Sequence, residues 1–106
     1  MLTYALRDRG YEVAASGYTA EISDLLDDQK PNALVLDCTV WNMSESLFDA
    51  VREHPDYAQL PVVIVSDTPE IADASLRKRR AERVLLIPKP FTGGQVARAL
   101  DELTAP

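Results

Sequence analysis

One cysteine, Cys38, is all that the 106 residues contain. No disulfide can therefore form within the chain, and the fold must rest on its core. That composition suits a reducing compartment, and a cytoplasmic location is the expectation. Long apolar runs are lacking as well. None approaches the ~20 residues of a membrane-spanning helix, and no signal-peptide pattern opens the chain. Positive charge is scarce: 11 Lys and Arg face 17 Asp and Glu, a formal net charge of -6 at pH 7. Such a balance excludes broad electrostatic binding to nucleic acid or to anionic lipid, so neither is expected as a partner. Glycine is sparse, with four residues, and no Gly-rich phosphate loop follows any apolar run. A nucleotide or flavin site of the ordinary kind has nothing to rest on, because Gly93 and Gly94 fall short of a fingerprint. Repeats, low-complexity segments and linkers are also lacking. The length allows one domain, residues 1–106, with a single modest core.

What is present is ordinary globular material, 46% apolar and 26% charged. Three short apolar runs stand out: "ALVLD" (33–37), "VVIVSD" (62–67) and "VLLIPKPF" (84–91). Runs this short, rich in Val and Leu, suit strands buried on both faces of a parallel sheet. Helical spacing lies between them. Ile22, Leu25 and Leu26 recur at i, i+3, i+4 behind Thr19 as a cap, and Leu47, Ala50, Val51 and His54 repeat that spacing until Pro55. Thr68 and Pro69 open a weakly amphipathic helix over roughly 69–80. Thr92 opens a last helix with Val96, Ala99, Leu100 and Leu103 on one stripe. Leu2, Ala5 and Leu6 mark a first short helix stopped by Gly10, and "YEVAA" (11–15) predicts one more strand. Alternation of this kind predicts an α/β parallel sheet with helices on both faces, four strands and about five helices.

In such sheets, ligands collect beyond the carboxyl ends of the strands. Asp37, Ser66 and Lys89 each stand where an apolar run stops. Singly, each has an ordinary explanation: a turn former, a local hydrogen-bonder, a solvated strand end. Together they place an acid, a hydroxyl and an ammonium in one crevice.

This constellation resembles the receiver domain of two-component response regulators, over nearly the whole chain. "LVLD" matches the segment of the phosphorylated aspartate, "VVIVS" that of the conserved Ser/Thr, and "KPF" that of the conserved lysine and proline. Ser66 follows Asp37 by 29 residues and Lys89 follows Ser66 by 23, separations that suit the family. The resemblance implies a flavodoxin-like doubly wound sheet and a phosphorelay role. The chain would then be a signalling phosphoprotein and no enzyme in its own right. A histidine kinase or phosphotransfer protein would be its partner. Asp37 would accept the phosphoryl group, Ser66 would hydrogen-bond one of its oxygens and Lys89 would neutralise another. The Lys89–Pro90 peptide is often cis in this family, which would aim the ammonium.

The family also uses Mg²⁺, held largely by an acidic pair at the end of its first strand. Too few residues precede Asp37 to supply that strand, so the chain reads as N-terminally truncated relative to the family. Asp37 with the backbone carbonyl of Thr39 is a poor site for an ion that prefers several oxygen ligands, and Mg²⁺ is not expected to bind usefully. A sheet lacking its first strand would expose unpaired edges, and a second copy of the chain is an expected filler of that gap. Further departures follow. Trp41 stands where proline is usual and Glu45 where glycine is. Asp67 follows Ser66 where a small residue normally leaves room for the phosphoryl group. Leu86 occupies the place of a common aromatic switch residue.

An atypical receiver is therefore one reading, and a pseudo-receiver acting as a phosphorylation-independent interaction module is the other. Trp41, in a loop expected to border the crevice, either covers the site or anchors a partner. The basic run "RKRR" (77–80) reads as a solvated helix end or as a docking face for an acidic partner. His54 reads as a helix end and Cys38 as a small buried hydrophobe.

Overall fold

The computed structural model describes residues 6–8, 10–13, 22–38, 41–80 and 82–104; at 22, 23, 25, 37, 38 and 41–44 the backbone alone is described. Within these residues a helical turn at 6–8 precedes seven elements. They are α1 (Ile22–Gln29), β1 (Leu34–Cys38), α2 (Trp41–Glu53), β2 (Val62–Ser66), α3 (Pro69–Lys78), β3 (Val84–Pro88) and α4 (Gly93–Thr104). The three strands form one parallel sheet in the order β1-β2-β3. Leu34 lies opposite Val62 and Val62 opposite Val84, and this register holds to Ser66 opposite Cys38 and Pro88.

β2 is the middle strand and is buried at every position. Its unbroken apolar run follows from cover on both faces. Val62 and Ile64 pack with Leu36, Phe48 of α2, and Ala72 and Leu76 of α3. Val63 and Val65, pointing the other way, pack with Ile87, Leu6 and the α4 stripe Val96, Ala97, Ala99 and Leu100. The period-2 alternation of the strand thus sorts its side chains between two helical layers. α1 joins the α2 side, where Leu26, Val51 and Leu60 form a third cluster. The α/β parallel sheet with helices on both faces is therefore the observed architecture.

Local signals explain several boundaries. α2 ends at Glu53, and Pro55 follows where the helix could not continue. Pro69 opens α3. Thr92 and Gln95 form a reciprocal cap on α4: Gln95 N–H donates to Thr92 Oγ1 at 3.2 Å, and Thr92 N–H donates to Gln95 Oε1 at 2.8 Å.

Other expectations need correction. The strand anticipated over 11–15 is not shown: residues 11–13 have no regular structure, and 14 and 15 lie outside the described residues, as do Thr19, Leu2 and Ala5. α3 stops at Lys78, so Arg79 and Arg80 of the basic run form its exit, with Arg80 at a φ of 51°. Thr68 sits at the N-cap position but makes no side-chain cap bond; its hydroxyl turns to Ser66 instead. Trp41 is the first residue of α2 rather than part of a loop.

Candidate functional site

The parallel register sets the site. Asp37 lies opposite Val65, Cys38 opposite Ser66, and Ser66 opposite Pro88. The backbone of Asp37, the side chain of Ser66 and the chain entering Lys89 therefore share the carboxyl edge of the sheet. Lys89 N–H donates to the Ser66 carbonyl at 3.0 Å. That bond extends the ladder one step past the last strand pair and holds the two residues side by side. The Lys89–Pro90 peptide is cis. The Asp37 side chain, the Trp41 side chain and Thr39 lie outside what is described.

Ser66 is fully buried. A buried hydroxyl needs partners, and Ser66 Oγ accepts the Thr68 N–H at 3.0 Å and lies 3.3 Å from Thr68 Oγ1. The turn after β2 thus closes on its own serine. Lys89 is largely covered, 23% exposed, and its Nζ lies 3.9 Å from Asp67 Oδ2, whose side chain is 46% exposed. This separation is an ion pair rather than a hydrogen bond. Half-exposed pairs of this kind are screened, contributing under about 1 kcal/mol. Leu86 is half-buried opposite Ile64 and packs on the α2–α3 side of the sheet.

Chemically, the edge offers a lysine cation and a serine hydroxyl one strand away from an aspartate backbone, an arrangement able to hold an oxyanion. It also carries its own anion, because Asp67 already faces Lys89. The oxygen donors anticipated for Mg²⁺, the Asp37 carboxylate and the Thr39 carbonyl, lie outside what is described. Among the described residues no group of three or more His, Cys, Asp or Glu could hold a metal ion.

Two clusters at a distance were not foreseen. Arg79, from the basic run, reaches back to α2. Its Nε donates to Asp49 Oδ1 at 2.8 Å and its Nη2 to Asp49 Oδ2 at 3.1 Å; Glu45 and the Ser75 hydroxyl complete the set. Its hydrogen bonds to Asp49 and to Glu45 hold the guanidinium well above the ordinary arginine range. The second centres on Arg52, half-buried, which donates to the carbonyls of Leu60 at 2.7 Å and Glu82 at 2.9 Å and lies 5.0 Å over the Phe48 ring. No sequence spacing announces either cluster, since Arg79 and Asp49 are 30 residues apart. His54, expected only to end a helix, links α2 to α1. Its Nδ1 accepts the Asp56 N–H at 3.1 Å, which leaves the proton on Nε2 to donate to Asp27 Oδ1 at 3.0 Å.

In comparisons with protein-family models, curated proteins and solved structures, nothing matches this chain. Among the described residues no helix is long and apolar enough to cross a membrane.

Proposed function

We propose that the chain is a receiver-like domain of two-component signalling on a flavodoxin-like sheet. Asp37 stands at the phosphoacceptor position, and a histidine kinase or phosphotransfer protein is its partner class. The observation that carries this reading is the joining of Ser66 and Lys89 at the carboxyl edge of the sheet, beside the strand that bears Asp37. In this reading an Asp37 carboxylate oxygen attacks the phosphorus of a phosphohistidine. A new P–O bond forms as the P–N bond breaks, and the imidazole leaves. Ser66 and Lys89 hold the transferring oxygens.

A second reading, the phosphorylation-independent interaction module, is favoured by one specific contact. Asp67 faces Lys89, the cation a phosphoryl oxygen would need. In this second reading small phosphodonors leave the chain unmodified, because Asp67 competes for that cation and Asp37 with the Thr39 carbonyl would offer few oxygen ligands to Mg²⁺. Incubation with acetyl phosphate and Mg²⁺, followed by intact-mass measurement, tests the point. A gain of one phosphoryl group that disappears in Asp37→Asn would establish the acceptor and dismiss the module reading. A gain that survives Asp37→Asn would remove Asp37 from the acceptor role altogether.

A further inference from the structure

His54 is the single histidine of the chain, and its ring stands where α1, the end of α2 and the turn leading to β2 meet. Both ring nitrogens are engaged. Nδ1 accepts the Asp56 N–H at 3.1 Å, and Nε2 donates to Asp27 Oδ1 at 3.0 Å. The Tyr57 ring meets it edge-on, with 4.9 Å between centroids. The imidazole is largely covered, 12% exposed, while Asp27 is open to solvent.

Both bonds together suit only the neutral ring. A protonated imidazole carries a hydrogen on each nitrogen. Nδ1 could then no longer accept, and its new N–H would face the Asp56 N–H, so one of the two donors must move. The charged ring still has support, because Asp27 becomes its counter-ion and their hydrogen bond becomes charge-assisted on both sides. The neutral ring therefore holds α1 and the turn together, whereas the charged ring holds α1 and gives up the turn. Among the described residues no other charged side chain bonds to the ring. Asp24, Asp28 and Lys30 on the α1 side, and Glu53 and the Asp56 side chain on its own side, are exposed. Tyr57, the remaining titratable neighbour, donates its hydroxyl to the Leu26 carbonyl at 3.0 Å.

The rest of the turn is fixed by other bonds. Tyr57 N–H donates to the His54 carbonyl at 3.0 Å and Leu60 N–H to the Tyr57 carbonyl at 3.1 Å. Arg52 Nη1 also reaches the Tyr57 carbonyl, at 3.4 Å, and Leu60 is buried with Leu26 and Val51 just before β2. The part that can yield is Pro55 and Asp56, both exposed.

We propose that His54 is a proton-operated latch: the neutral ring holds the Asp56 amide, and protonation releases that amide while α1 stays tied through Asp27. Histidine is the side chain that ordinarily changes charge between about pH 5 and 8, which makes it the residue for such a device. The latch lies apart from the carboxyl edge and does not depend on how that edge functions.

With one imidazole in the chain, the ring resonances identify themselves. Isotope-labelled protein is titrated from about pH 8 to pH 5. At the upper end the ring should show the Nε2–H tautomer. On titration the Asp56 amide proton should move upfield with the same midpoint as the ring, as loss of its hydrogen bond requires. His54→Asn is the control, since its Oδ1 can accept the same N–H two residues on but takes up no proton. The Asp56 amide should then hold its position until the carboxylates titrate. In His54→Ala, which has no acceptor, that amide should sit near its low-pH position throughout. An Nδ1–H tautomer at the upper end would overturn the latch, and so would an Asp56 amide that ignores the titration of the ring. An identical shift in His54→Asn would overturn it too, because the Asp56 carboxylate would then be the cause.

Discussion

Arg79 ties α3 to α2, and removing it should loosen that pair of helices measurably. The side chain is 28% exposed, Asp49 is 41% exposed and Glu45 36%. The environment therefore falls between two limits. Fully exposed pairs contribute about 0.2–1 kcal/mol, whereas hydrogen bonds to charged groups contribute about 1.5–3 kcal/mol. The Asp49 contact is bidentate, with both N–O distances in the hydrogen-bond range, which places it above an ordinary surface pair. A coupling of about 1 kcal/mol between Arg79 and Asp49 follows from these limits. For Arg79→Ala the whole loss is about 2 kcal/mol, since the Glu45 and Ser75 contacts and the packed stem go too. In a chain of this size that is a fall of roughly 8 °C in melting temperature. Urea denaturation of the parent, Arg79→Ala, Asp49→Ala and the double variant closes the cycle. The coupling should shrink in 0.5 M salt without vanishing, because the group is mostly covered. Coupling below about 0.2 kcal/mol would refute the reasoning and reduce the network to an ordinary solvated cluster.

Two further outcomes test the fold. Thr92→Ala removes one half of the reciprocal cap on α4 and should cost about 1 kcal/mol, while Thr92→Ser should be close to neutral; equal behaviour of the two in urea would dismiss the cap. Among the described residues β1 pairs only with β2, and its Leu34 and Val35 are half-buried where every β2 residue is buried. A second copy covering that outer edge would give a dimer mass by light scattering at micromolar concentration, and a sharply melting monomer would reject self-association.

Much of the sheet was legible because burial on both faces removes polar residues from a strand, and "VVIVS" carries that signature without ambiguity. The α4 stripe was legible for the complementary reason: a helix covering one sheet face must repeat apolar residues at 3.6-residue spacing, as Val96, Ala99 and Leu100 do. Thr68 stands at the N-cap position without a side-chain cap bond. The pattern Thr-Pro-Glu fits a helix start, but a fully buried Ser66 two residues earlier competes for the same hydroxyl. Local sequence holds no trace of that competition, because it depends on how deeply β2 is buried. The strand anticipated over 11–15 rested on five residues, Tyr11 to Ala15, of which Glu12 breaks the apolar run, too short and mixed a segment to separate strand from irregular chain.

The positions that depart from the receiver pattern turn out to be connected. Glu45 stands where the family usually has glycine, and the run "RKRR" looked like an unrelated basic patch. In the fold, the third residue of that run, Arg79, closes on Glu45. Asp67 stands where a small residue is usual, and it faces Lys89. Each added acid is thus set against a cation of the same chain, one between two helices and one at the carboxyl edge. The two pairs differ in what they imply. At Glu45 the pairing joins α2 to the exit of α3, so its effect is on stability. At Asp67 the paired cation is the one that the proposed receiver reading assigns to the phosphoryl group, so under that reading the pairing bears on function: a phosphoryl group at Asp37 would have to compete with Asp67 for Lys89. The anionic character of Asp67, legible in the sequence, is directed in the fold at the Lys89 ammonium on the same edge.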